Sequence, residues 1–513
     1  MKKTTRSVLN GAAVLTVSTL FVKAIGLIFK IPLSYIISDE GMGYFNTAYT
    51  VFTFFYILST AGVPKAVSIL VASKMSEENS SEARQISKSA FRSFFLIGLF
   101  SGFLFAVLSK PISYLIGSQK SALAMIAVAP SIAFVASSGA IRGYFMGRMK
   151  FLPVAISEII SAAVKLILGL LLAFLGYRLG FDVYLISALA ILGVTLGSFF
   201  GFIYLYIVEK KSESSVSTPI GKANNKYLKD IIKIASPITL SSAISSLINL
   251  LDIAVVMRML RFDGFSELQA NIIYGNYTTC VIPVFNLVGA ILAPVGMIIL
   301  PMLIKVKDNS KEFSSLLNKG VNTVIYISTP LSVLVFCYAR SILMFLFEDS
   351  SAVMSSFLLQ LIAPSFILLA LLLILNTALE AKGNFKIPVI SLSIGAITKL
   401  LVSALFITGG NLGIVAAPVG TLSSYIVSFS ISFFYIVHKY KYKIRILLPL
   451  VISITFCFAC MIFSTFFDEK VLIKNFYIKS VLTYFIFAII YIVLYIILIL
   501  LKKLLKSKQI SQI

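Results

Sequence analysis

The chain has 513 residues, of which 59% are hydrophobic and only 12% charged, with a mean hydropathy of +0.99. Soluble domains carry about 25% charged residues, so this composition excludes a soluble enzyme, a disordered chain and a fibrous protein, and indicates a polytopic membrane protein. The net charge of +24 lies mostly between apolar runs, where membrane topology explains it better than a nucleic-acid partner.

The first apolar stretch follows Lys2, Lys3 and Arg6 and runs to about Ile37. A signal-peptide core is about 7–15 residues, so a first transmembrane helix is predicted here and no cleavable signal. A span needs about 20 mostly apolar residues. Fourteen stretches qualify: 8–37, 44–73, 93–109, 121–147, 152–176, 183–208, 231–257, 272–304, 320–339, 353–381, 387–407, 412–437, 446–467 and 480–501. The predicted fold is therefore all-α. Several spans exceed the bilayer and are expected to tilt or bend, with Pro32, Pro283, Pro294 and Pro364 as bend points.

The connecting segments alternate in charge. Those assigned to the cytoplasm hold 29 Lys and Arg, those assigned outside hold 9. The bias places both termini inside, and an odd number of helices would break the alternation.

The longest polar stretch, 209–230, is predicted to be a cytoplasmic linker. It divides a first lobe of six helices (1–208) from a second of six (231–437), with two more helices and a cytoplasmic tail in 438–513. An internal repeat supports the division. At a constant offset of 234, Phe151 meets Phe385, Ser157 meets Ser391, Lys165 meets Lys399 and Leu166 meets Leu400. Parallel six-helix repeats are a transporter architecture with the substrate site between the halves.

Six basic residues fall within or at the ends of the spans: Lys23, Lys30, Lys65, Arg142, Lys165 and Lys399. The acids there are Glu158, Asp252 and Glu380. A charge at the bilayer centre costs about 2.5–3.5 kcal/mol on insertion scales, so such residues face water or a partner. Lys23 and Lys30 are seven apart on the first helix and share a face. Snorkelling to the interface suits Lys65; Lys23 is too deep for it, which favours a hydrated cavity. For Arg142, near the inner end of the fourth helix, both readings stand. Glu158 and Lys165 share a face of the fifth helix, which leaves an ion pair or a cavity-lining Lys165. Asp252, deep in the seventh helix with Asn249 one turn earlier, has three fates: protonation, pairing with Lys399, or holding a cation such as Na⁺, which prefers oxygen ligands. The surplus of cations in the first lobe favours an anionic substrate, since diphosphates and carboxylates pair with Lys and Arg.

One His and four Cys leave little for metal or thiol chemistry. Cys457 and Cys460 form a CxxC inside an apolar run and are read as packing residues, because a lone CxxC is a weak signal. No nucleophile–base pair is visible, so an enzyme is not expected.

Five stretches together are distinctive: KAIGLIFKIPLSYIISDEGMGYFNTAY (23–49), STAGVPKAVSILVASKM (59–75), IRGYFMGRMKFLPVAISEIISAAVKLILGLLLA (141–173), ASPITLSSAISSLINLLDIAVVMRML (235–260) and GNLGIVAAPVGTLSSYI (410–426). Through them the chain resembles the stage V sporulation protein B and polysaccharide-biosynthesis family, close to the MurJ-like lipid II flippases of the multidrug/oligosaccharidyl-lipid/polysaccharide flippase superfamily. The resemblance implies two six-helix bundles facing each other in a V, plus two C-terminal helices. It implies alternating access that moves an undecaprenyl-diphosphate-linked glycan outward across a bacterial cell membrane, without a cofactor, in a monomer. It assigns the diphosphate to Lys23, Lys30, Arg142 and Lys165. The Na⁺ site of some relatives maps onto Asp252 with Lys399, Ser403 and Thr421. A Lys in place of an Asn ligand departs from that pattern, and its ammonium can replace the ion, which leaves Na⁺, proton and membrane-potential coupling all open.

Overall fold

The computed structural model describes residues 2–76, 80–214, 225–347, 349–408, 413–470 and 491. The helices in chain order are α1 (Lys2–Thr60), α2 (Val63–Ser76), α3 (Ser80–Ile116), α4 (Ala122–Val128), α5 (Ser131–Gly147), α6 (Leu152–Arg178), α7 (Val183–Ser214), α8 (Asn225–Phe262), α9 (Glu267–Asn276), α10 (Ile282–Lys305), α11 (Ser310–Leu346), α12 (Asp349–Ile362), α13 (Ser365–Ala381), α14 (Lys386–Thr408), α15 (Ala416–Tyr440) and α16 (Leu447–Lys470). Among the described residues there is no strand. Each of the first thirteen predicted spans falls on helix, while the fourteenth, 480–501, lies outside the described residues except at Tyr491. By length and composition, eight described helical stretches can cross a membrane, or up to ten if each of two bent pairs is one span. The chain is a multi-pass, all-helical membrane protein.

Two departures from the sequence reading concern the bends. The predicted loop 38–43 is helical, because α1 continues through it with a single break at Ser38 (φ 56°, ψ −179°). Residues 41–48 are buried, and buried backbone must be hydrogen-bonded, which helix achieves and an open loop does not. Pro32 sits within α1 without interrupting it. The proline bends instead form a matched pair: α12 and α13 meet at 43° beside Pro364, as expected, and α4 and α5 meet at 40° beside Pro130.

The matched bends belong to a repeat written in the backbone. At the first break the Ala129 amide donates to Met125 and Ile126 carbonyls; at the second, Ala363 donates to Leu359 and Gln360. At the following turn Lys150 donates to Phe145 and Asn384 to Leu379, both at 2.9 Å. The next helix repeats as well, with Ser157 bonding back to Val154 and Ser391 to Pro388. Every pair is separated by the offset of 234 read from the sequence.

The chain packs as two compact units: Met1–Thr279 with Ala404–Ile414, and Cys280–Ser403 with Val415–Ile513. The first has a core of Val63, Val67 and Val71 on α2, Ile86 and Phe94 on α3, and Ile141, Tyr144 and Phe145 on α5. In the second, Tyr491 meets the Ser453 hydroxyl of α16 at 2.7 Å and donates to the Tyr326 carbonyl of α11 at 3.0 Å. Cys457 is buried on α16.

Candidate functional site

The basic residues of the first unit are set on α1, α5 and α6. Lys23 is exposed on α1, and Lys30, two turns on, is half-buried. The Lys30 ammonium donates to the Asn46 carboxamide oxygen at 3.0 Å and to the Thr278 carbonyl at 3.1 Å. Asn46, buried on the second half of α1, passes the contact on: its NH₂ donates to the Thr279 hydroxyl at 2.9 Å.

This reach is possible because α1 and α9 approach closely. A side chain at Gly43 would strike the Asn271 carbonyl, and one at Gly275 the Asp39 carbonyl. Small residues at these positions let two helix backbones touch, as is common between membrane helices. Asn46 lies one turn past Gly43, and Thr278 and Thr279 one turn past Gly275.

Lys165 on α6 turns towards α1, with its ammonium 5.3 Å from the centre of the Phe29 ring. Phe29 is fully buried and immediately precedes Lys30. Cation–π attraction of this kind is worth most where water is excluded. Arg142 on α5 pairs with Glu158 on α6 at 3.5 Å, their side chains 19% and 29% exposed. Thus Glu158 takes Arg142 as its partner, and Lys165, on the same face of α6, takes an aromatic ring. The buried Arg142 Nε has no hydrogen-bond partner among the described residues.

One end of the first unit, that predicted to face outward, is fastened by polar contacts. The Arg258 guanidinium donates to the Tyr114 and Leu115 carbonyls at the end of α3. The Ser118 hydroxyl donates to Asn271 at 2.8 Å, and the Lys120 amide to the Glu267 carboxylate at 3.3 Å. The last carbonyls of a helix lack intrahelical partners, and Arg258 supplies one for α3.

Asp252 is half-buried on α8 in the first unit, within electrostatic range of Tyr274 on α9, while Asn249 is exposed. The other three residues of the expected ion or ion-pair site belong to the second unit. There α14 and α15 meet at Gly420, where an added side chain would lie 2.7 Å from the Ser403 hydroxyl and 3.0 Å from the Lys399 carbonyl. The approach gathers Lys399, Ser403 and Thr421. Ser403 is fully buried and its hydroxyl has no hydrogen-bond partner among the described residues. Thr421 bonds back to the Ala417 carbonyl at 3.0 Å. Among the described residues no three His, Cys, Asp or Glu side chains form a metal-binding group.

The sequence reading did not single out Asn46, Thr278, Thr279 or Phe29 as site residues. The legible signal was Asn46, a carboxamide inside an apolar span, since a buried amide demands partners.

The profile of the family described as "Polysaccharide biosynthesis protein" matches residues 8–307, and the MatE profile matches 307–405. The lipid II flippase MurJ of Bacillus subtilis (strain 168) is 23% identical over 446 residues, covering 82% of this chain and 81% of that protein. Stage V sporulation protein B of the same organism is 22% identical over 438 residues, with 82% and 81% covered. The solved structure of lipid II flippase MurJ in an inward closed conformation superposes with a TM-score of 0.70 at 18% identity, covering 94% of this chain and 99% of that one.

Proposed function

The chain belongs to the polysaccharide biosynthesis protein family, and on that premise we propose that it is a flippase for an undecaprenyl-diphosphate-linked cell-wall precursor. It carries the precursor from the inner to the outer leaflet by alternating access, and lipid II is the first candidate. The observation that carries the reading is the charge of the spans in the first lobe: Lys23, Lys30, Arg142 and Lys165 against Glu158. Each is expensive in a membrane, and together they suit an anionic head group. A diphosphate offers several acceptor oxygens and recruits Lys and Arg by charge-assisted hydrogen bonds.

The family's description favours a second reading, in which the glycan is another lipid-linked polysaccharide repeat unit. Export of cationic drugs on the same fold would need acids where this lobe carries bases. The protein works in the bacterial cell membrane as a monomer with both termini cytoplasmic. Reconstituted in liposomes, it should flip lipid II and support growth of a strain depleted of its lipid II flippase. Flipping of a different undecaprenyl-diphosphate glycan, with lipid II left in place, would select the second reading.

A further inference from the structure

We infer that Lys30, Asn46 and the Thr278–Thr279 segment form a tie that the substrate's anionic group displaces, so that binding and the release of α9 from α1 are one event. The inference rests on the diphosphate reading above and adds to it how the site acts.

The tie originates in local backbone chemistry. Residues Tyr277–Val281 form a π-helical turn between α9 and α10. In π register a carbonyl pairs with the amide five residues on. Five beyond Thr278 stands Pro283, which has no N–H. The Thr278 carbonyl therefore takes an external donor, the Lys30 ammonium at 3.1 Å. Asn46 holds that ammonium from the other side at 3.0 Å and anchors itself on the Thr279 hydroxyl at 2.9 Å. Asn46 is thus a positioning residue for Lys30.

The Asn46 and Thr278 oxygens that Lys30 contacts are neutral dipoles. A diphosphate oxygen carries a negative charge, so it adds to the hydrogen bond a charge–charge attraction that neither of these oxygens supplies. An anionic ligand that claims Lys30 leaves the Thr278 carbonyl without its donor and removes one support of the α1–α9 contact. A ligand shifts a conformational equilibrium only through its difference in affinity for the two states. Here that difference is built in, because Lys30 is engaged in one arrangement and available in the other.

The test uses spin labels at Tyr35→Cys on α1 and Leu268→Cys on α9, both exposed positions, with Cys280, Cys337, Cys457 and Cys460 replaced by alanine. The inter-label distance is measured in nanodiscs with and without undecaprenyl diphosphate, which carries no glycan. The tied protein should give one short distance, and the lipid should add a longer one. Lys30→Met should show the longer distance without lipid and gain nothing from it. Asn46→Ala keeps the ammonium but loses one partner, so the lipid needed for half-conversion should fall severalfold, because a smaller fraction of molecules must be untied first. Should Lys30→Met fail to fold, the Asn46→Ala titration carries the test by itself.

A Lys30→Met protein that stays at the short distance, or an Asn46→Ala titration that overlays the parent, overturns the inference. Lipid that lengthens the distance equally in parent and Lys30→Met overturns the displacement but keeps the diphosphate reading. A parent indifferent to the lipid while Lys30→Met opens overturns displacement and diphosphate reading together.

Discussion

Met149 and Gly383, 234 residues apart, hold the same left-handed conformation at equivalent helix ends, with φ of 57° and 75°. Each ends a helix whose last carbonyls accept from the amides just beyond, so the turn is imposed by the repeat and the residue type is secondary. A left-handed residue other than glycine costs roughly 1–2 kcal/mol. Nothing lies within 4 Å of the side chain that Gly383 lacks, so a substitution there tests backbone strain alone. Gly383→Ala should lower the unfolding temperature in detergent, and Met149→Gly should raise it by a smaller amount, since glycine also loosens the unfolded chain. A thermal melt of the two variants checks the opposite signs.

Arg142 and Glu158 separate a structural role from a substrate role. If the pair only braces α5 against α6, Arg142→Gln and Glu158→Gln should damage stability and transport alike. With Arg142 as a diphosphate ligand, Glu158→Gln should keep at least partial flipping, while Arg142→Gln should abolish it at unchanged abundance. Flipping assays beside membrane quantification give both readouts.

Lys23 is exposed on α1, so its replacement should leave folding untouched. Lys23→Gln is expected to abolish function, with Lys23→Arg restoring part of it through a guanidinium of different geometry. Growth complementation with matched expression is the measurement, and full activity of the Gln variant would remove Lys23 from the substrate path.

In the second unit Lys399 stands where the resemblance expects an oxygen ligand, and its backbone packs with Ser403 against Gly420. Transport should therefore depend little on Na⁺, and NaCl and KCl should protect equally in a thermal shift. Lys399→Asn restores an oxygen ligand and should introduce a selective response to NaCl.

The predicted topology puts the 209–230 linker in the cytoplasm. A cysteine at Ser215 should resist an impermeant maleimide applied to intact cells and react once the membrane is opened. Reaction in intact cells would reverse the charge-based orientation.

Half of the candidate site is legible in the amino-acid sequence. Its charged members stand out because ionisable residues in apolar spans are costly and therefore few. Of their polar supports only Asn46 is legible, as a carboxamide inside an apolar span; Thr278 and Thr279 are ordinary residues until something is buried against them. The bends divide similarly. Pro364 is named as a bend point from the sequence and its repeat partner Pro130, a proline inside a span in the same way, is not, while Ser38 bends α1 with no sequence signal comparable to a proline.

Sequence alone determined that this protein is built of membrane helices and carries an internal repeat. In lipid every backbone polar group must be satisfied within the protein, and helices built from long apolar runs do so by themselves. It also determined the offset of 234, because shared turns and intramembrane lysines survive in residue order. Only the tertiary structure decided who meets whom: Lys30 with Thr278, Arg142 with Glu158, Lys165 with Phe29. A membrane helix is apolar on nearly every side, so its periodicity does not mark the face that turns inward. That choice falls to close backbone approaches, such as Gly43 against α9, between segments more than 200 residues apart.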